Sequence, residues 1–401
     1  MLSSAPSTTA HRHALIAQAR QTLLTDGVVP LREEVEPWIA RSWQRCLGKG
    51  MDSTQRVAFD AVSATALRRS QEQNHELLSA ARPVLDQLTR AIAGMRYFAV
   101  LTDAHGIVVN VQGHLDRSDP RASAIGRVGI DLSEAAVGTT AIGAALAELQ
   151  PVWLHRGEHF FDDNSSYSCA GAPLFDPHGQ CVGMLDLTGV DVPERPELRH
   201  LVARSARAME DALLLQQPHA LLLRMNWPGC TLGGEGDGLL TLDADGFVLG
   251  CNRMARQLVP QPLRLPHTRA HCSDLLALPW ASLFDAADRH HTLPLDLPLW
   301  SGLRLQALAV LPQGARSHRG RPLSAAQDPA LRPHSAASDT PAPLRETEAA
   351  MIRQAVQHAR GNVAEAARAL GISRATVYRK LGAPRRPIAG DAVNAVEAVK
   401  N

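Results

Sequence analysis

Apolar positions recur along this chain with two periods, and each change of period marks a change of element. Up to about residue 94 apolar and charged groups alternate at helical spacing, with Trp38, Ile39, Trp43 and Cys46 on one face of a segment ending Gly48-Lys49-Gly50. This predicts a helical lead-in over residues 1–94. From Met95 the period drops to that of strands: Tyr97 to Asp103 is one strand, Ala104-His105-Gly106 a turn, and Ile107 to Gln112 the returning strand. The run Leu132 to Leu149 is Ala-rich at helical spacing and is interrupted by Gly138, where one helix stops and another starts. Val152-Trp153-Leu154, Tyr167–Phe175 and Gln180–Thr188 add three strands, the last two joined across Asp176–Gly179. A five-stranded sheet with flanking helices is expected.

Residues about 196–217 carry Leu198, Leu201, Val202, Ala208, Met209, Ala212 and Leu215 at helical spacing, with Pro218 as the stop. A second module follows. Gly238–Leu242 reads as a strand, Asp245-Gly246 as a turn and Phe247–Cys251 as the paired strand, after which Asn252 opens a helix. Leu275–Leu278 and Trp280–Phe284 supply its middle, and Thr292–Leu297 and Leu303–Val310 its closing strands. From Pro312 to Pro343 Pro, Ser, Ala, Gly, Arg and His succeed one another without periodicity, which marks a flexible linker.

The C-terminal run from Gly361 to Leu381 is the most informative stretch. Val363, Ala366, Ala367 and Leu370 give one apolar helical face, capped by Asn362 and stopped by Gly371. Ser373 caps a second helix in which Val377 and Leu381 pack, leaving Arg374, Thr376, Tyr378, Arg379 and Lys380 on or beside the open side. Met351, Ile352, Ala355, Val356 and Ala359 predict a preceding helix from about Leu344 to Arg360. Between Arg345 and Arg386 nine Lys or Arg stand against three Glu, a local +6 in a chain whose formal net charge is +1. A helix-turn-helix with its cations concentrated on one helix suits phosphates and base edges of double-stranded DNA. The expected DNA-binding set is Asn362, Ser373, Arg374, Thr376, Tyr378, Arg379 and Lys380. A structural helical hairpin with solvated arginines is the alternative; the caps, the glycine turn and the local charge agree with one another against it.

The same segment closely resembles the C-terminal DNA-binding domain of the Fis type, in its Ala366-Ala367-Arg368-x-Leu370-Gly371-Ile372-Ser373-Arg374-x-Thr376-x-Tyr378-Arg379-Lys380-Leu381. That resemblance implies a homodimer reading two half-sites about one helical turn of DNA apart. Further upstream, Ser42-Trp43-Gln44-Arg45-Cys46, Val137–Gly143, Gly157–Phe160, Ser168–Pro173 and Gly183–Thr188 together resemble the sensory GAF region of the acetoin-catabolism and glycerol/dihydroxyacetone type of sigma-54-dependent bacterial regulators. Thr140 stands where that family usually has Asn, and Gly171 where Ala is usual; both departures bear on a ligand pocket. The segment from Gly238 is similar to the start of a PAS domain.

Together these readings predict an α+β multidomain chain. Its parts are a lead-in (1–94), a GAF-like sensor (95–195), a connecting helix (196–230), a PAS-like module (231–311), the linker (312–343), an all-α Fis-type helix-turn-helix (344–386) and a tail (387–401). By resemblance, a small-molecule effector lies between the sheet and the helices crossing it, lined by Tyr97, Val137, Thr140, Ile142, Ser168 and Ala170. A filled core serving only dimerisation is the alternative.

Regulators of this family normally carry a central AAA+ ATPase. It needs a Gly-rich phosphate cradle with Lys and Ser/Thr, and no G-x-x-x-x-G-K-[ST] occurs in the chain; the Gly229–Gly238 stretch places Glu235 and Asp237 where a Lys is wanted. ATP-driven activation is therefore not expected, and repression or modulation is. His155-Arg156-Gly157-Glu158-His159 matches the H-x-x-E-H zincin pattern, but Gly157 and the strand before it do not suit the helix that chemistry requires. No enzyme, metal or cofactor is predicted. Six cysteines without a C-x-x-C pair indicate neither a zinc knuckle nor a disulfide framework. With no run near the ~20 apolar residues of a membrane span and no signal-peptide core, a cytoplasmic protein is expected. Its partners would be DNA, a second copy, and RNA polymerase or full-length family activators. The rival reading is an anti-activator or scaffold acting through protein contacts with those activators.

Overall fold

Strand alternation sorts the first sheet into two apolar faces, and helices cover both. The structure is a computed structural model that describes residues 8–25, 27–28, 30, 34–259, 270–288 and 294–312. The chain divides into two compact units, Met1–Arg321 and Pro322–Asn401, and all described residues belong to the first.

The elements in chain order begin with α1 (Thr8–Arg20), continued by one π-helical turn, α2 (Pro37–Gly48), α3 (Ala64–Gln73) and α4 (His75–Ala91). Next come β1 (Tyr97–Asp103), β2 (Val108–Gly113), α5 (Pro120–Ile125), α6 (Glu134–Val137), α7 (Ala141–Glu148) and β3 (Val152–His155). Two 3-10 turns, Arg156–Glu158 and Asp162–Ser166, lead to β4 (Tyr167–Phe175), β5 (Cys181–Val190) and α8 (Leu198–Gln216). The sheet is antiparallel with order β2-β1-β5-β4-β3, so the five expected strands are there, with β5 at the centre.

Register assigns each residue a face. Phe98, Thr188, Cys169 and Leu154 form one row across the sheet, and Val100, Asp186, Gly171 and Val152 the next on that same face. This face shares a core with α1, α2, α6 and α7, through Ile16, Trp38, Ile39, Trp43, Cys46, Val137, Ile142 and Ala145. On the opposite face the rows are Tyr97, Gly189, Ser168, His155 and then Ala99, Leu187, Ala170, Trp153. These pack with Leu77, Leu85 and Leu88 of α4 and Val202, Ala206 and Met209 of α8. The lead-in expected as a separate segment instead contributes core on both faces, because its apolar stripes have nowhere else to be buried.

Gly138 separates α6 from α7 at φ +67°, and a Cβ there would lie 2.8 Å from the Phe161 ring. Thr140 is the N-cap of α7, its Oγ1 accepting from Gly143 N at 3.2 Å. Thr in place of the family's Asn thus keeps a side-chain oxygen where the helix needs one.

A second antiparallel sheet follows, formed by β6 (Leu221–Asn226), β7 (Gly238–Leu242), β8 (Val248–Cys251), β9 (Leu295–Pro298) and β10 (Arg304–Val310) in the order β8-β7-β6-β10-β9. Helices α9 (Arg253–Leu258), α10 (Cys272–Leu275) and α11 (Ala281–Asp288) accompany it, and Leu221, Leu223, Met225, Leu240, Phe284 and Leu305 lie in its core. Residues 221–226, expected within the connecting segment, are its central strand. Asn252 caps α9 as expected: its Oδ1 accepts from Leu239 N and Ala255 N, and its Nδ2 donates to Asp211 of α8 and to Asp237 O. Among the described residues no helix is long and apolar enough to cross a membrane.

Candidate functional site

The Ser42–Cys46 motif lies on α2, which Pro37 opens at its first turn and whose apolar stripe faces the first sheet. Ser42 Oγ donates to Glu134 Oε2 at 2.6 Å and lies 2.8 Å from Thr139 Oγ1. Arg45 meets both oxygens of Glu134 at 2.8 Å and reaches Glu148 at 3.0 Å, while Trp43 Nε1 donates to Glu158 O at 2.9 Å. These groups satisfy one another. The motif therefore locks α2 onto the α6–α7 segment and leaves no free chemistry of its own.

Beneath that lock, on the α7 face of the sheet, sits an uncompensated group. Asp186 is completely buried in the middle of β5; one carboxylate oxygen accepts from Thr188 Oγ1, and Oδ1 has no partner among the described residues. Burial pushes this carboxyl up to about 7, against the smaller opposing effect of the Thr188 hydrogen bond. Cys169 lies beside it with Sγ 3.6 Å from Thr188 Oγ1, and burial, then the nearby Asp186, raise its thiol well above the ordinary range. Gly171 is next to Asp186 in the same row; a Cβ there would come 2.5 Å from Met184 Cε and 3.1 Å from Ala141 O. The Met184 methyl group thus occupies the space an Ala side chain would take, which is the physical counterpart of the sequence departure at this position.

The six residues expected to line an effector pocket are not brought together. Val137 and Ile142 lie in the core on the α7 face, with Thr140 capping the helix above it. Tyr97 and Ala170 lie on the α4/α8 face, in a row scheme that places Ser168 there too, against His155. The reason is parity: in β4 the odd positions Tyr167 and Cys169 face α7 and the even ones turn away. Sequence reasoning missed Asp186, although a lone Asp inside the apolar run Met184–Leu187 was the available signal.

His155, Glu158 and His159 occupy the end of β3 and a 3-10 turn, not a helix. His155 N donates to Glu158 Oε2 at 2.7 Å, and Glu158 is ion-paired with Arg12. Burial raises the Glu158 carboxyl to about 7 and lowers both imidazoles to about 4. Arg20 fastens this turn by donating to the carbonyls of Gly157, His159 and Phe160 and to Asp162. Among the described residues no group of three or more His, Cys, Asp or Glu is placed to hold a metal ion. Asn362, Ser373, Arg374, Thr376, Tyr378, Arg379 and Lys380 lie outside the described residues.

Residues 14–211 match the family described as MimR, N-terminal domain, and residues 343–383 match the bacterial regulatory protein family of the Fis type. The chain thus joins a MimR-type N-terminal region to a Fis-type C-terminal one, and its relatives include acetoin- and MimR-type transcriptional activators. Over 278 residues it is 30% identical to the acetoin catabolism regulatory protein of Cupriavidus necator, covering 68% of this chain and 41% of that protein. Over 197 residues it is 29% identical to the acetoin dehydrogenase operon transcriptional activator AcoR of Bacillus subtilis, covering 49% of this chain and 32% of that one. The chain thus spans less than half the length of these relatives. The solved complex of DhaR(N) with DhaL from E. coli aligns at 17% identity and a TM-score of 0.42, over 69% of this chain and all of that one. The MimR-type match runs from within α1 into α8, so it takes in the α2 lock, the whole first sheet and Asp186.

Proposed function

We propose that this chain is a sequence-specific DNA-binding transcriptional regulator that acts as a homodimer. The observation that carries the reading is the Fis-family match over residues 343–383, the same stretch in which the chain concentrates its positive charge. Arg374, Thr376, Arg379 and Lys380 supply base and phosphate contacts, with Tyr378 beside them and Asn362 and Ser373 at the helix starts. The first sheet with its helices serves as a GAF-like sensor and the second as a PAS-like module. An effector acts on the α7 face, where the unpartnered oxygen of Asp186 lies in the same core as Val137 and Ile142. Since the chain holds no G-x-x-x-x-G-K-[ST] cradle, regulation proceeds without ATP-driven remodelling of polymerase, and repression or modulation requires the fewest parts.

Operator binding by the full chain tests this directly. Genome-wide binding sites are identified first, and fluorescence anisotropy on a recovered site is then compared for wild type and Arg379→Ala. A loss of tenfold or more, about 1.4–3 kcal/mol, with unchanged folding is expected. Normal affinity in the variant removes the assignment of that helix.

A further inference from the structure

The turn that joins β4 to β5 is covered at its tip, whereas connecting turns ordinarily run over the surface. Pro177 is buried there, although His178 and Gln180 beside it are exposed. The hairpin also outruns its neighbours in the sheet: β3 pairs with β4 only as far as Gly171, and β1 with β5 only as far as Gly183. Beyond those pairs a two-stranded arm projects, held by its own ladder out to Phe175 and Cys181. The second sheet grips the end of this arm. Cys251 N on the edge strand β8 donates to Pro177 O at 3.0 Å, so the arm takes up a donor that an edge strand would otherwise present to water. Arg256 of α9 donates to the same carbonyl at 2.6 Å and to Asp176 O at 3.4 Å. Arg253 lies 4.5 Å from the Phe175 ring centroid, and Phe175 N donates to Glu210 of α8 at 3.1 Å. The grip has no slack: a Cβ on Gly250 would lie 2.6 Å from Pro177 Cβ, and one on Gly179 3.0 Å from Arg256 Nε.

The other end of the arm is rooted in the core of the α7 face, where Gly171 and Asp186 stand opposite each other across β4 and β5. Six residues of extended chain, about 20 Å, separate Gly171 from Pro177. Two strands joined by a ladder move as one piece, and a close-packed contact passes a displacement on where a loose one would absorb it. We infer that the β4–β5 hairpin is a lever, carrying a change in the α7-face core of the first sheet to β8 and α9 of the second by a route that does not run along α8. Its use as a signal path rests on the reading of the first sheet as a sensor; the mechanical coupling does not.

The test is amide hydrogen exchange of the full chain, with Gly171→Ala as the disturbance, since a Cβ there would lie 2.5 Å from Met184 Cε. Exchange across residues 248–258 is expected to change about threefold or more, while residues 304–310, three strands away from β8 in the same sheet, change less than about half as much. Arg256→Ala and Gly250→Ala each loosen the grip. In both backgrounds the response of 248–258 to Gly171→Ala is expected to fall by about half or more. Asp186→Asn, a second disturbance at the same root, should give the same pattern. No response at 248–258 to either disturbance overturns the lever. A response of undiminished size in both grip variants shows that it travels along α8 and overturns the route. Neither DNA nor an effector enters the measurement, so either failure leaves the operator-binding assignment standing.

Discussion

A single carboxylate, Asp186, is where the first sheet departs from an ordinary core. An Asp free in the unfolded chain titrates near 4, whereas burial holds Asp186 near 7. Between these values the folded chain binds a proton that the unfolded chain releases, so this group's contribution to stability falls as pH rises from about 4 to 7 and is constant above. Asp186→Asn is therefore expected to stabilise the chain at pH 8 by a few kcal/mol, with the gain vanishing near pH 4; urea midpoints at both values measure it. An advantage independent of pH would show that Asp186 titrates alike in the folded and the unfolded chain. At this scale the sequence was half legible. It marked Thr140 and Gly171 as departures but not what they do, since a cap and a methyl filling a gap appear only once α7 and Met184 are in place. It also mixed the two faces of β4, because that strand is buried almost throughout and its residues carry no polar mark of inside and outside.

Elements explain why the Ser42–Cys46 motif reads so clearly in the chain. Its residues fasten a helix to a turn nearly a hundred positions away, through a buried carboxylate that is 8% exposed. Removing the cation strands that carboxylate. Arg45→Ala is expected to cost about 2–4 kcal/mol in denaturant unfolding, and adding Glu134→Gln to recover at least half of it. Failure of the second change to rescue the first would mean the Arg45 stem, not its charge, holds α2. The strands of the first sheet were legible from their period and turns, and so were α8 and the cap at Asn252. β6 was not. Leu221, Leu222 and Leu223 follow the leucines at the end of α8 without alternation, since a central strand between β7 and β10 buries both its faces.

Seen as a whole, the described unit is two sheets joined through α8, which packs on the first and reaches the second. Glu210 of α8 lies 3.4 Å from Arg253 and Asp211 accepts from Asn252 at 2.8 Å, two successive residues meeting two successive residues at the start of α9. A helix turns about 100° and advances about 1.5 Å per residue. The two sheets are thus set in angular phase, like teeth on a keyed shaft. One alanine inserted after Ala203 would rotate both teeth away, and the amides of β6 and β7 should then exchange at least tenfold faster while β1 and β5 stay protected. Four inserted residues would bring the teeth back to within about 40° of alignment, and protection should partly return. A loss that grows steadily with insert length would mean that α8 sets only the distance between the sheets.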